Sequence, residues 1–184
     1  MYDMFKAKAE AIGSEVHRFG TKAEALNFIE GLFQKEDIKD APGSYAVWAD
    51  GRILKGVDTK ALAKKVPGLK FEVTRQMAKD AKIGITQVDW GIANTGTVAQ
   101  DSTAIAQRLA AALPWIHVAL LGTNTIVADL PALMSKMHPQ KSAYIALTTG
   151  PSRTADIERV LAIGVHGPER PVIVCIDESG GMNS

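Results

Sequence analysis

The amino-acid sequence predicts an α/β fold of three layers around a mixed, mostly parallel sheet. Three near-continuous apolar runs of strand length support this prediction, at 116–121, 143–147 and 172–176. Such runs are typical of strands buried on both faces, as in a parallel sheet. Helical stretches lie between them, and alternating strands and helices indicate an α/β domain. The chain has 184 residues, so we expect a single domain over 1–178.

The first 40 residues predict helices that pack on the domain. Residues 4–16 carry apolar side chains among charged positions, which indicates a short amphipathic helix. Thr21 and Glu24 form a capping box, in which each side chain satisfies a free backbone N–H at the start of a helix. Apolar residues then recur at helical spacing, namely Leu26, Ile29, Leu32 and Phe33.

Strand and helix signals alternate from residue 45 onwards. The predicted elements are a strand at 45–48, a helix at 59–66, a strand at 69–73 and a helix over 77–88 interrupted by Gly84. Segments 90–93 and 98–100 are separated by only four residues, which permits a hairpin and not a parallel crossover. Further helices are expected at about 103–112 behind Ser102, at about 130–137 behind Asp129 and at about 155–163, followed by a flexible tail at 179–184.

Composition narrows the class of partner and cofactor. The formal net charge is +1 and no Lys/Arg run interleaves with aromatic residues, so we expect no nucleic-acid or membrane partner. Cys175 is the only cysteine, which excludes an internal disulfide and an all-cysteine iron–sulfur or zinc site. The four histidines lack metal-ligand spacing, so we expect no metal or other cofactor. The absence of a signal-peptide pattern and of a membrane-length apolar run predicts a cytoplasmic protein.

Nucleotide-binding fingerprints are absent, since neither GxGxxG after a strand nor GxxxxGK[ST] occurs. His117 lies inside the apolar run at 116–121, where a neutral, hydrogen-bonded core histidine is expected in preference to a catalytic one.

The turn at 94–97 contains the first candidate ligand-binding residues, Thr95, Gly96 and Thr97. A glycine lets a ligand approach the backbone, and the two threonines offer hydroxyl groups. The alternative is an ordinary turn in which Gly96 takes a positive φ.

A second candidate stretch joins the apolar run at 143–147 to the predicted helix at 155–163. Ligands of open α/β sheets bind at the carboxyl ends of strands, and free N–H groups at a helix start attract anions. An arginine there adds a forked donor for a carboxylate or a phosphate. The candidate ligand-binding residues of this stretch are Gly150, Ser152, Arg153 and Thr154.

Two neighbouring residues modify that hypothesis. Asp156 falls in the first turn of the predicted helix, where its carboxylate would repel a second anion. An ion pair between Arg153 and Asp156 is therefore an equal alternative. His166 follows the predicted helix in a loop, which makes it a further candidate, although a turn histidine that caps the helix is the commoner case.

Four segments together resemble the LUD domain family, in particular lactate utilization protein C. They are 94–97, 113–120, 150–158 and 164–168, which read NTGT, LPWIHVAL, GPSRTADIE and GVHGP. Two departures from the family pattern are Asn94, where an acidic residue is usual, and the segment QDST at 100–103, where glycines are common.

The resemblance implies a fold like that of the ribose-5-phosphate isomerase and coenzyme A transferase superfamily. It also implies an accessory role in oxidising L-lactate to pyruvate, beside a partner that carries iron–sulfur clusters. A small carboxylate or phosphate is the ligand expected near the candidate residues.

Two other functions remain open from the sequence. A stand-alone sugar-phosphate isomerase or acyl-CoA transferase would need a catalytic carboxylate at the site, for which Asp89, Asp101 and Asp156 are the candidates. A protein-interaction module would need only the fold.

Overall fold

A computed structural model describes residues 1–155, 161–163 and 167–178. Six parallel strands form its central sheet. From one edge to the other they are β1 (Glu15–Phe19), β12 (Arg170–Ile176), β7 (Ile116–Gly122), β4 (Ala81–Gln87), β2 (Tyr45–Trp48) and β3 (Leu69–Lys70). The apolar runs at 116–121 and 172–176 are thus central parallel strands, as predicted.

A second sheet of four strands holds the predicted hairpin. Its order is β8 (Ile126–Val127), β5 (Trp90–Ile92), β6 (Thr97–Asp101) and β9 (Ile145–Thr148). The β5–β6 and β6–β9 pairs are antiparallel, whereas β5 and β8 run parallel. The central sheet is therefore wholly parallel, and the second sheet is mixed. A short antiparallel pair follows, β10 (Arg153–Ala155) with β11 (Leu161–Ile163).

Helices cover both faces of the central sheet, which gives the three predicted layers. The helices are α1 (Tyr2–Ala11), α2 (Lys22–Lys35), α3 (Thr59–Lys65), α4 (Arg75–Lys79), α5 (Ile105–Ala112) and α6 (Leu130–Met134). One core joins α2 and α3 to one face of the sheet, through residues such as Ile29, Leu62 and Val118. On the opposite face lie α1 and the second sheet, around Phe5 and Leu121, together with α4 and α5.

Side-chain caps fix where several helices begin. The capping box of Thr21 and Glu24 forms as predicted, with both reciprocal hydrogen bonds present. Asp129 caps α6 by accepting the Ala132 N–H at 2.9 Å. The helix expected behind Ser102 instead begins at Ile105, with Ala104 at the cap position and no side-chain cap bond.

The predicted helix over 77–88 is wrong. Helix α4 ends at Lys79, and residues 81–87 form β4. Gly84 does not interrupt a helix but is a strand residue beneath α5: a Cβ there would lie 1.9 Å from the Ala110 carbonyl oxygen. The glycine is required because the helix backbone packs directly on the strand.

The predicted helix at 4–16 runs past its true end. Gly13 has φ +98°, which terminates α1, and residues 15–19 form the edge strand β1. The strand predicted at 69–73 is correct only at Leu69–Lys70. The helices expected at 103–112 and 130–137 are shorter than predicted.

Two errors concern the C-terminal part. The run at 143–147 is not buried on both faces as its apolar sequence predicts, because β9 is a half-exposed edge strand antiparallel to β6. The helix expected at about 155–163 is wrong where the structure describes it, because residues 153–155 and 161–163 pair as antiparallel strands. Residues 156–160 and the tail at 179–184 lie outside the described residues.

Candidate functional site

The β5–β6 turn and the segment after β9 lie side by side. The hydroxyl groups of Thr95 and Thr97 are 2.7 Å apart, and that of Thr97 is 2.8 Å from the hydroxyl of Thr149. Strand pairing sets this geometry, because Val98 is opposite Thr148 in the β6–β9 register. The structure therefore brings the two candidate stretches together, although they are about fifty residues apart in sequence.

The glycines of both stretches face helix α1. Gly96 has φ +68°, and a Cβ there would lie 2.3 Å from the Ala9 backbone nitrogen. Gly150 has φ +71°, and its Cβ would lie 2.9 Å from the Ile12 carbonyl oxygen. The sequence suggested that a ligand approaches the backbone at these glycines, but the C-terminal part of α1 occupies that place. The positive φ expected for Gly96 is confirmed.

Arg153 also contacts the end of this helix. Its Nη2 donates a hydrogen bond of 2.8 Å to the carbonyl oxygen of Ile12, the C-cap residue of α1. Basic side chains commonly satisfy the last carbonyl groups of helices in this way. Arg153 is exposed, and its expected partner Asp156 lies outside the described residues, so the predicted ion pair stays a prediction.

A cleft of about 310 Å³ lies between the C-terminal half of α5, strand β9 and the loop at 149–152. Gly150 and Ser152 line it, as do Thr148 and Thr149. Thr95, Gly96, Thr97 and Arg153 lie outside its lining residues. The side chain of Thr154 and all of His166 lie outside what the structure describes, so their assignment stays a prediction.

The cleft contains a cation that the sequence reasoning missed. Arg108 of α5 is the only charged side chain among the described lining residues. Its guanidinium carbon lies 5.1 Å from the centre of the Tyr144 ring, a cation–π contact, and it forms no hydrogen bond or ion pair with a described residue. One signal was available: Arg108 is the only Asp, Glu, Lys or Arg between Asp101 and Asp129.

The walls of the cleft combine polar and apolar groups. Tyr144 and Leu147 are both about half exposed, and Pro151 and Pro168 add further apolar surface. Hydroxyl groups come from residues such as Ser152 and Thr148. An apolar pocket with a few polar groups and one forked cation suits a small organic anion.

Two of the three candidate carboxylates, Asp89 and Asp101, lie outside the cleft and are engaged by neighbours, whereas Asp156 lies outside the described residues. Asp89 accepts the Asp101 N–H at 2.7 Å and lies 3.3 Å from Nη2 of Arg52. Burial raises the pKa of Asp89 above its usual value. Burial also tends to raise the pKa of Asp101, but hydrogen bonds from Thr103 and Ser142 lower it overall. Neither carboxylate is among the described residues that line the cleft.

His117 and Cys175 belong to the core. The Nε2 atom of His117 is 2.9 Å from the Thr86 hydroxyl, and complete burial lowers the pKa of the imidazole to about 4. This confirms the predicted neutral core histidine. Burial raises the pKa of the Cys175 thiol to about 12, so the thiol is unreactive in the folded protein.

Neither a metal-binding cluster nor a membrane-length helix is present in residues 1–155, 161–163 and 167–178. No group of three His, Cys, Asp or Glu side chains there is arranged to hold a metal ion. No helix among these residues is long and apolar enough to cross a bilayer.

The family model of the LUD domain matches residues 2–176, nearly the whole chain. The chain belongs to the LUD domain family. Lactate utilization protein C 1 of Bacillus mycoides is 34% identical over 123 residues, which cover 64% of this chain and 50% of that protein. Lactate utilization protein C of Geobacillus sp. strain WCH70 is 27% identical, with 92% of this chain and 78% of that protein covered.

The two relatives of this LUD domain chain extend beyond the part that it matches. The chain spans about half the length of the Bacillus mycoides relative that it matches. A crystal structure of a DUF162 family protein from Deinococcus radiodurans aligns over 85% of this chain and 98% of its own, at 17% identity and a TM-score of 0.42.

Proposed function

We propose that this LUD domain chain is an accessory, non-iron–sulfur component of a system that oxidises L-lactate to pyruvate, and that it binds a small monocarboxylate in the cleft beside Arg108. The observation that carries the ligand proposal is the guanidinium of Arg108, which has no ion-pair partner among the described residues, in a cleft of about 310 Å³. The names of the relatives support the choice of lactate utilization.

The charge of the cleft favours a monocarboxylate over a phosphate. A phosphate was expected to use the start of a helix at 155, but residues 153–155 form a strand instead. One guanidinium balances one negative charge, and its two parallel N–H groups match the two oxygens of a carboxylate. L-lactate and pyruvate each carry one carboxylate and one further oxygen, which the hydroxyl of Ser152 would contact.

The resemblance to the LUD family implies a redox partner, and the single cysteine of the chain is compatible with it. Oxidation of lactate to pyruvate releases two electrons, and a chain with one cysteine, itself buried, offers no all-cysteine cluster to accept them. In line with the resemblance, we propose that a subunit with iron–sulfur clusters receives the electrons while this chain binds beside it.

The test of this role is genetic. The gene for this chain is deleted in its host, and growth on L-lactate as sole carbon source is measured after complementation with wild type, Arg108→Gln or Arg75→Gln. Arg75 is exposed on α4, away from the cleft, and serves as the matched control. We expect wild type and Arg75→Gln to restore growth and Arg108→Gln to restore it poorly. Unchanged growth of the deletion strain would refute the role.

The partner is tested by affinity purification from lactate-grown cells. We expect the tagged chain to retain a protein whose reduced form gives the electron paramagnetic resonance signal of iron–sulfur clusters. A purified fraction without that signal, from cells that oxidise lactate, would contradict the proposed partner.

A further inference from the structure

The cleft beside Arg108 is larger than the ligands named for it above. Lactate and pyruvate each have as many non-hydrogen atoms as benzene, and a cavity of about 150 Å³ holds benzene. The cleft has a volume of about 310 Å³, so it has room for about twice that number of atoms. A lactate bound at Arg108 therefore leaves about half of the cleft unfilled.

Much of the wall of the cleft is apolar. Tyr144 and Leu147 line it, and they are 50% and 47% exposed. Pro151 and Pro168 extend this apolar surface. The alanines of the described lining are Ala111, Ala112 and Ala146. An apolar group in the unfilled part of the cleft would remove this surface from water, which is favourable.

Polar ligands fit the unfilled part poorly. Arg108 is the only charged side chain among the described lining residues, so a second carboxylate would find no counter-charge there. Two of the lining hydroxyl groups are engaged within the chain. That of Thr149 lies 2.8 Å from the hydroxyl of Thr97. That of Ser102 donates to Oε1 of Gln100 at 3.4 Å. A dicarboxylate or a polyol would therefore regain few of the hydrogen bonds that it makes to water.

We propose that the cleft binds monocarboxylates whose side chain is apolar and larger than the methyl group of lactate, and that it binds them more tightly than lactate. The carboxylate pairs with the guanidinium of Arg108, and the side chain covers Tyr144 and Leu147. The class comprises 2-hydroxy and 2-oxo acids with a branched aliphatic or an aromatic side chain. L-3-phenyllactate, with about twice the non-hydrogen atoms of lactate, matches the volume. This inference rests on the proposed function, because it concerns ligands of the same cleft.

The test is calorimetric titration of the full chain with L-2-hydroxy acids that differ only in the side chain. The series is lactate, 2-hydroxybutanoate, 2-hydroxy-4-methylpentanoate and 3-phenyllactate. We expect the affinity to rise about two- to fourfold for each carbon that the cleft covers, as is usual for burial of a methylene group. 3-Phenyllactate should bind at least about thirtyfold more tightly than lactate. 3-Phenyllactamide keeps the ring and lacks the charge, so it should give no saturable heat.

Variants separate the apolar wall from the carboxylate site. Leu147→Ala removes part of the wall, so we expect the ratio of the affinities for 3-phenyllactate and lactate to fall by at least about threefold. Leu130→Ala is the matched control and should keep the ratio of wild type, because Leu130 is 45% exposed on α6 and is not among the described lining residues. Arg108→Gln should weaken the binding of every acid in the series.

The outcomes distinguish this inference from the proposed function. If lactate and 3-phenyllactate bound equally, or if the ratio fell no further in Leu147→Ala than in Leu130→Ala, the inference would be overturned and lactate binding would stand. Binding of 3-phenyllactate without binding of lactate would support the inference and refute the choice of lactate. Absence of saturable heat with every acid would overturn both.

Discussion

Replacing Gly96 by alanine tests whether the β5–β6 turn is built to hold helix α1. In the structure, a Cβ at this position would lie 2.3 Å from the backbone nitrogen and 2.6 Å from the Cα of Ala9. Both are backbone atoms, so no rotation of a side chain relieves the clash. The substitution must therefore displace α1, whose Phe5 and Ala9 are fully buried in the core.

The expected cost has two parts. An alanine at φ +68° loses about 1–2 kcal/mol to backbone strain. The clash with α1 adds about 1–3 kcal/mol, the usual range for an overpacked core. Gly56 provides the matched control, because it has φ +77° and a Cβ added there would meet no atom within 4 Å, so Gly56→Ala carries the strain alone.

Urea denaturation followed by circular dichroism measures both variants. We expect Gly56→Ala to lower the free energy of unfolding by about 1–2 kcal/mol and Gly96→Ala to lower it by about 2–5 kcal/mol. If the two variants lost the same free energy, α1 would not press on Gly96 and the structural role assigned to this glycine would be refuted.

Three further predictions concern the core and one ion-pair network. His117 is buried and its pKa is lowered to about 4, so as the pH falls below about 6.5 the unfolded chain takes up a proton at this residue before the folded chain does. The free energy of unfolding of wild type should therefore drop by about 2 kcal/mol between pH 7 and pH 5. A similar drop in His117→Gln would contradict this. Glu36 accepts hydrogen bonds from Lys82 and Arg170, which hold the pKa of its carboxyl below the usual value. Glu36→Gln should lower the free energy of unfolding by about 1–3 kcal/mol at pH 7, and denaturation curves should show a smaller difference between the variant and wild type below about pH 4. The thiol of Cys175 should react with a chromogenic disulfide reagent at least about a hundredfold more slowly in the native protein than in urea, and equal rates would show that it is accessible.

Local signals in the sequence predicted much of the fold. Apolar runs marked β7 and β12 because both strands are buried on both faces, and the capping box at Thr21 marked the start of α2. The sequence did not predict strand β1, whose segment EVHRF buries only Val16 and leaves its other residues partly or fully exposed. An edge strand of this kind has no apolar run that would mark it. Strand β4 was mistaken for a helix because Gly84, required by the packing of α5, resembles a helix interruption.

The candidate site was predictable only in part, for a physical reason. Glycines and threonines at turns identify positions that another group can approach closely. They do not tell whether that group is a ligand or, as here, helix α1. Arg108 reaches the cleft because α5 packs beside β9, a contact between distant segments that no local pattern encodes. Gly150 and Ser152 were predicted because they follow a strand directly, where ligands of α/β sheets bind; both line the cleft, and their role in ligand binding stays a prediction.

Calorimetric titration of the purified chain with pyruvate, L-lactate and lactamide tests the central claim most directly. Lactamide keeps the shape of lactate and lacks its charge. We expect saturable heat with one or both carboxylates, none with lactamide, and affinity about 10- to 100-fold weaker in Arg108→Gln than in Arg75→Gln. Absence of heat with both carboxylates, or equal affinity in the two variants, would contradict a carboxylate site at Arg108.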